Sequence, residues 1–185
     1  MMDDEIEDAL DDLNFHVEKS MRYHQRIRGF YDFTHKLFMF VIIISGSSAL
    51  IGRPVVFAIT ASILAALNLV WSPSQQARRH EILFQRFSDL AIELRSGMSS
   101  EDNLRAWRKQ REIIEKDESP VFHALEADCD NEVRHAWGRT EELVKIGYWT
   151  RVTMYILRHT NKTPFKTYLT KNQADTDKTQ EVHGT

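Results

Sequence analysis

The sequence predicts an all-α chain: a two-helix transmembrane hairpin with a long N-terminal helix before it and a C-terminal cytoplasmic helical bundle after it. Three observations predict this. Residues 37–51 run fifteen positions without a charge and residues 54–77 run twenty-four, and only Gly52, Arg53 and Pro54 separate the two apolar cores. The charged segments on either side carry apolar residues at helical spacing, and no stretch alternates as a strand does. Basic residues crowd the terminal sides of the hairpin and not its turn. The chain therefore divides into an amphipathic helix (1–36), the hairpin (37–71), a cytoplasmic helical region (72–160) and a loose tail (161–185).

The hairpin rests on length and apolarity. At 1.5 Å per residue the first core spans roughly 22 Å and residues 54–71 roughly 27 Å, against a hydrocarbon slab of about 30 Å. Each core holds nine residues from Leu, Ile, Val and Phe. Ser45, Gly46, Ser47 and Ser48 in the first, and Thr60, Ser62 and Asn68 in the second, offset part of that. Two helices joined by three residues must lie antiparallel. The alternative is a buried helical hairpin inside a soluble bundle. Lys19, Arg22, Arg26, Arg28 and Lys36 precede the hairpin and Arg78, Arg79 and Arg86 follow it, whereas the turn offers only Arg53. Positive-inside reasoning places both termini in the cytoplasm.

The N-terminal helix shows a narrow stripe, Ile6, Leu10, Leu13, Val17 and Met21, stepping by four, three, four and four. Such a stripe packs against another helix of the same chain or forms a subunit contact. Arg28, Asp32 and Lys36 are spaced for pairing along one face. Gly29 costs only about 1 kcal/mol inside a helix and does not have to end it. Tyr31, Phe33 and Phe38 fall where aromatic residues favour the headgroup region.

Within the hairpin, Ala58, Ser62 and Ala66 recur every four residues, as do Ser45 and Ala49, and small residues at that spacing let transmembrane helices approach closely. These residues, with Asn68, are the candidate packing or pore face. Asn68 either hydrogen-bonds across helices or faces a wet path.

Beyond Pro73 the pattern turns soluble. Residues 79–96 read as a helix with Ile82, Leu83, Phe87, Leu90, Ala91 and Leu94 on one face, closed by Gly97. Ser99 or Ser100 caps a helix that runs to Lys116, with Glu101 and Asp102 in its first turn. Asp117-Glu118-Ser119-Pro120 breaks it and starts another, which ends at Gly138. Thr140 then caps a helix over 141–159, apolar on most sides yet holding Lys145 and Arg151, which lies in the membrane surface or is buried in the bundle.

Charge and chemistry narrow the function. Twenty-four Lys and Arg nearly balance twenty-seven Asp and Glu, so no overall field draws the chain to nucleic acid. The acidic N-terminus lacks the positive region that a cleaved secretory signal needs. Cys129 alone makes no internal disulfide, and its neighbours Asp128 and Asp130 would raise its thiol pKa. No glycine-rich phosphate cradle and no nucleophile elbow occurs. Glu132 and His135 form one Glu-x-x-His pair, where carboxylate-bridged metal bundles need two. His24 and His35 flank the membrane entry as candidate pH sensors, with surface histidine as the default reading. The expectation is a protein that is not an enzyme and carries no cofactor or metal.

Several segments carry a family likeness. Arg22-Tyr23-His24-Gln25-Arg26 leads into the hairpin and Ala77-Arg78-Arg79-His80-Glu81 follows it. Ile114-Glu115-Lys116-Asp117-Glu118-Ser119-Pro120 and Cys129-Asp130-Asn131-Glu132 come later. Together they resemble the SLATT proteins, bacterial two-transmembrane helical effectors linked to nucleotide-signalled and related defence systems. The resemblance covers roughly residues 15–160. It implies a bacterial inner-membrane protein, a homo-oligomer acting on the lipid bilayer, and a separate sensor or nucleotide-signalling protein as trigger. An oligomeric effector that permeabilises the membrane, a membrane anchor that recruits a cytoplasmic partner and a soluble helical protein are the three functional expectations.

Overall fold

The computed structural model describes residues 2–48, 54–119, 121–139 and 143–155, all of them helix or connecting loop, with no strand among them. The chain divides into two compact units, Met1–Asp117 and Glu118–Thr185. That division falls inside the region 72–160, at the Asp117–Pro120 break, and not at its predicted ends. The predicted tail 161–185 lies outside the described residues.

In the first unit, α1 (Met2–Ser48) runs unbroken for 47 residues, about 70 Å at 1.5 Å per residue. It passes through Gly29 and across the predicted boundary at residue 36, so the amphipathic helix and the first apolar core are one element. Nothing in the sequence requires a stop there: a Cβ at Gly29 or Gly46 would meet open space, and no proline intervenes. Three further helices follow: α2 (Pro54–Trp71), α3 (Pro73–Ser96) and α4 (Glu101–Lys116). Helix α3 starts earlier than the periodicity predicted because Pro73 suits a first helical turn and only Ser72 separates it from α2. Ser72 takes the left-handed conformation (φ 45°, ψ 53°). Its N–H still donates to the Asn68 carbonyl at 3.0 Å and its hydroxyl donates to that of Leu69 at 2.8 Å. One left-handed residue thus separates α2 from α3 without orphaning the end of α2.

The core of this unit joins Leu13 and Val17 of α1, Leu83, Phe87, Leu90 and Leu94 of α3, and Leu104, Trp107 and Ile114 of α4. Leu10 and Met21 pack against it half-buried, and Ile6 lies half-buried further out. Leu13 and Val17 of the N-terminal stripe are therefore buried inside their own chain, while Ile6, Leu10 and Met21 remain partly exposed. The Ser100 hydroxyl accepts from the Asn103 N–H at 3.3 Å, as a helix cap should. Gly97 closes α3 against the Trp107 ring, where an added Cβ would lie 2.8 Å from Cη2. An Arg86–Asp117 ion pair links α3 to the end of α4.

In the second unit, α5 (His123–Ala136) begins three residues later than the proline rule predicted and ends in a left-handed Gly138 (φ 74°). The Arg139 N–H donates to the Arg134 carbonyl (2.8 Å) and the Gly138 N–H to that of His135 (3.2 Å), a paired closure of the last turn. The helix predicted over 141–159 is corrected. Residues 143–147 are not helical and α6 spans only Tyr148–Thr153, while residues 141, 142 and 156–159 lie outside the described residues. The reason is a tertiary bond. Asn131 donates from Nδ2 to the Val144 carbonyl (2.6 Å) and accepts the Val144 N–H at Oδ1 (2.7 Å), which takes both backbone groups a helix would use.

Replacing Gly97 with Ala should lower stability by about 1–3 kcal/mol through overpacking against Trp107. Phe87→Ala, which empties a fully buried ring site, should cost about 3–5 kcal/mol. Denaturant unfolding of the full chain, followed by helical circular dichroism, measures both.

Candidate functional site

Above the core of the first unit the chain presents apolar side chains outward. Val70 is 85% exposed and Ile43 62%, and Phe40, Val55, Ile59 and Ile63 are also exposed. Among the described residues one helical run, Val55–Ser96, contains an 18-residue window long and apolar enough to cross a membrane, and none of that window is buried. The first core supplies α1 residues 37–48, about 18 Å of helix, and residues 49–51 lie outside the described residues.

The polar side chains of this region are satisfied locally. The hydroxyls of Ser47, Thr60 and Ser62 donate to the carbonyls of Ile43, Val56 and Ala58, four residues back, at 3.0, 2.9 and 2.8 Å. Thr34 does the same to Phe30 at 2.8 Å. Backbonded hydroxyls leave an exposed helix face with no unsatisfied donor, a state that suits contact with hydrocarbon.

The residues of the predicted packing or pore face lie on two helices. Ala58, Ser62 and Ala66 are exposed on α2, Ser45 is buried on α1, and Ala49 lies outside the described residues. Asn68 is half-buried and its Oδ1 lies 3.2 Å from Nδ1 of His35, which puts the His35 proton on Nδ1. Asn68 therefore bonds across to α1, the first of its two alternatives.

Below that bond an aromatic cluster joins α1, α2 and α3. Trp71 meets Phe38 at 6.1 Å and the edge of Tyr31 at 6.3 Å between ring centroids. Tyr31 stacks on His80 at 5.9 Å. His80 and His24 share a hydrogen bond, Nδ1 to Nδ1, at 2.9 Å, and both side chains are buried. Phe87 stacks on the far side of His24 at 5.6 Å and Tyr23 meets it edge-on at 5.2 Å. Burial, with His24 and Arg79 adding to it, lowers His80 to about 4. Charges ring this end: Arg28 pairs with Glu81 at 3.1 Å and Lys36 with Asp32 at 2.6 Å. The Lys36 hydrogen bond holds the Asp32 carboxyl below its usual range.

His24 is thus not the surface residue its default reading made it, and its partner His80 went unremarked in the sequence. A signal was present. His80 stands three residues before Leu83 and seven before Phe87, on the apolar register of α3, and His24 stands seven after Val17 on the stripe of α1. Elsewhere, Glu132 is half-buried and His135 exposed, and among the described residues no three His, Cys, Asp or Glu side chains gather as a metal site would require. Cys129 is buried.

Replacing Asn68 with Leu should remove the tie to His35 and weaken the α1–α2 contact by about 0.5–2 kcal/mol. Cross-linking yield between cysteines placed at Phe38 and Trp71 in the full chain reads that loss.

No family model matches the chain, and neither a curated protein nor a solved structure does.

Proposed function

We propose that the chain inserts in a membrane through residues 37–48 of α1 and through α2, which form a hairpin with both termini on the cytoplasmic side. In this reading it is an effector that self-associates and permeabilises the bilayer. The observation that carries the insertion is the exposed apolar face on which Ser47, Thr60 and Ser62 turn their hydroxyls onto their own helix backbone. Hydrocarbon requires every such hydroxyl to be satisfied within the protein, and this face meets that requirement at these three residues. The effector role rests on the likeness to SLATT proteins, with a separate sensor or nucleotide-signalling protein as its trigger. A lone hairpin encloses no water path, so permeabilisation needs several copies. With Leu13 and Val17 occupied in the core, self-association falls to the exposed small-residue face of Ala58, Ser62 and Ala66.

The occupied stripe also favours a second reading, a monomeric membrane anchor whose helices recruit a cytoplasmic partner. Dye release from vesicles holding the full chain separates the two. Wild type should release the dye, and Ser62→Leu, at equal incorporation, should abolish release, because Leu inserts at least as well as Ser but blocks close approach. Full release by Ser62→Leu would overturn the packing face. Stable insertion with no release by wild type would favour the anchor, and recovery of the protein in the soluble fraction would overturn insertion itself.

A further inference from the structure

We propose that the buried His24–His80 pair is an acid-sensitive latch that holds α1 against α3 while one ring keeps a bare Nδ1 and releases them when both Nδ1 atoms carry protons. The proposal stands on the geometry of the pair and holds whether the chain acts as effector or anchor.

The bond joins the same atom of two imidazoles, Nδ1 to Nδ1 at 2.9 Å. One ring must donate its Nδ1 proton and the other must accept at a bare Nδ1, so the accepting ring is neutral with its proton on Nε2. A proton delivered to that acceptor gives two N–H groups facing each other at hydrogen-bond distance. The bond becomes a repulsion, and the rings cannot turn away freely. Phe87 closes the pair from the His24 side, Tyr31 from the His80 side and Tyr23 from the edge.

The groups packed against the pair in these contacts are aromatic or cationic. From α1 come Tyr23 and Tyr31, which have no charge in this range, and from α2 comes Trp71 through Tyr31. From α3 come Phe87 and the cationic Arg79, which opposes a second positive charge. The carboxylate next to His80 in sequence, Glu81, is engaged by Arg28 of α1 at 3.1 Å.

The sign follows directly. Burial lowers His80 from 6.5 to about 4, so between those values the separated helices bind more protons than the packed ones. The stabilisation is whole above about 6.5 and is lost as pH falls toward 4. The latch lies on α3 just past its junction with α2, so its opening loosens α3 from α1 beside the aromatic cluster. His16, on the same helix, is also lowered, by burial first and then by Lys19 and Arg111, despite Glu115 at 3.4 Å. It lies toward α4 and serves as the control.

The test is amide hydrogen exchange of the full chain in neutral-lipid vesicles between pH 7.5 and 4.5, corrected for the intrinsic pH dependence of exchange. Protection over residues 20–31 and 76–87 should fall at least tenfold on acidification. His24→Phe/His80→Phe, which keeps two rings and removes both titrating groups, should retain protection at pH 4.5. His16→Gln should still open. If the double variant loses helix at pH 7.5, the wild-type His80 resonances decide: this ring should remain neutral below pH 6.5 and change together with the loss of protection. Full wild-type protection at pH 4.5, opening of a folded double variant at the wild-type pH, or ordinary titration near 6.5 without opening would each overturn the latch.

Discussion

The contact between α1 and α3 is the one on which the first unit depends. Leu13, Val17 and Ile27 on one side and Leu83, Phe87 and Leu90 on the other are almost fully buried. Side chains of this kind each contribute about 1.5–3 kcal/mol when removed from water. Helix α4 adds Leu104, Trp107 and Ile114 to the same core, and α2 reaches it through the aromatic cluster at Trp71. At its upper end the contact ceases to be purely apolar and continues as two imidazoles, each packed against an aromatic ring. Hydrophobic burial supplies the strength of this interface, and a single nitrogen-to-nitrogen bond supplies its sensitivity.

Most helices were legible because their signals are local. Ser100 with Asn103, Gly138 at a left-handed position and the periodic face of α3 are decided within a few residues; of that face Leu83, Phe87, Leu90, Ala91 and Leu94 are buried, while Ile82, assigned to it, is exposed. The last helix was not legible. Its apolar run looks helical from 141 to 159, but Asn131, more than ten residues earlier, takes both backbone groups of Val144. Periodicity carries no trace of a bond made across that distance. The unbroken path of α1 was missed for the opposite reason: the composition changes sharply at residue 37, while the backbone has no cause to stop.

The candidate site was half legible. Apolar length is a property of composition, so the exposed face of α2 follows from the residues alone. The histidine pair lay hidden because a histidine reads as the end of an apolar stripe. Extending the stripe one turn past Met21 reaches His24 and then Ile27, and extending the α3 register back from Leu83 reaches His80. Two such interruptions on facing helices are a pairing signal that neither shows by itself.

Helix α1 has a mechanical consequence. At 100° per residue, six of the buried α1 residues, Leu13, Val17, His24, Ile27, Thr34 and Ser45, fall within about 100° of arc, with Tyr23 just beyond it and Phe15 on the other side, so a buried stripe follows most of the rod. A rod of that kind behaves as a drive shaft. It cannot turn at one end and keep its register at the other, and sliding along its partner means skipping whole turns of about 5.4 Å. Any torque applied where α3 grips the shaft is delivered, without a joint to absorb it, to the phenylalanines and isoleucines at its apolar end.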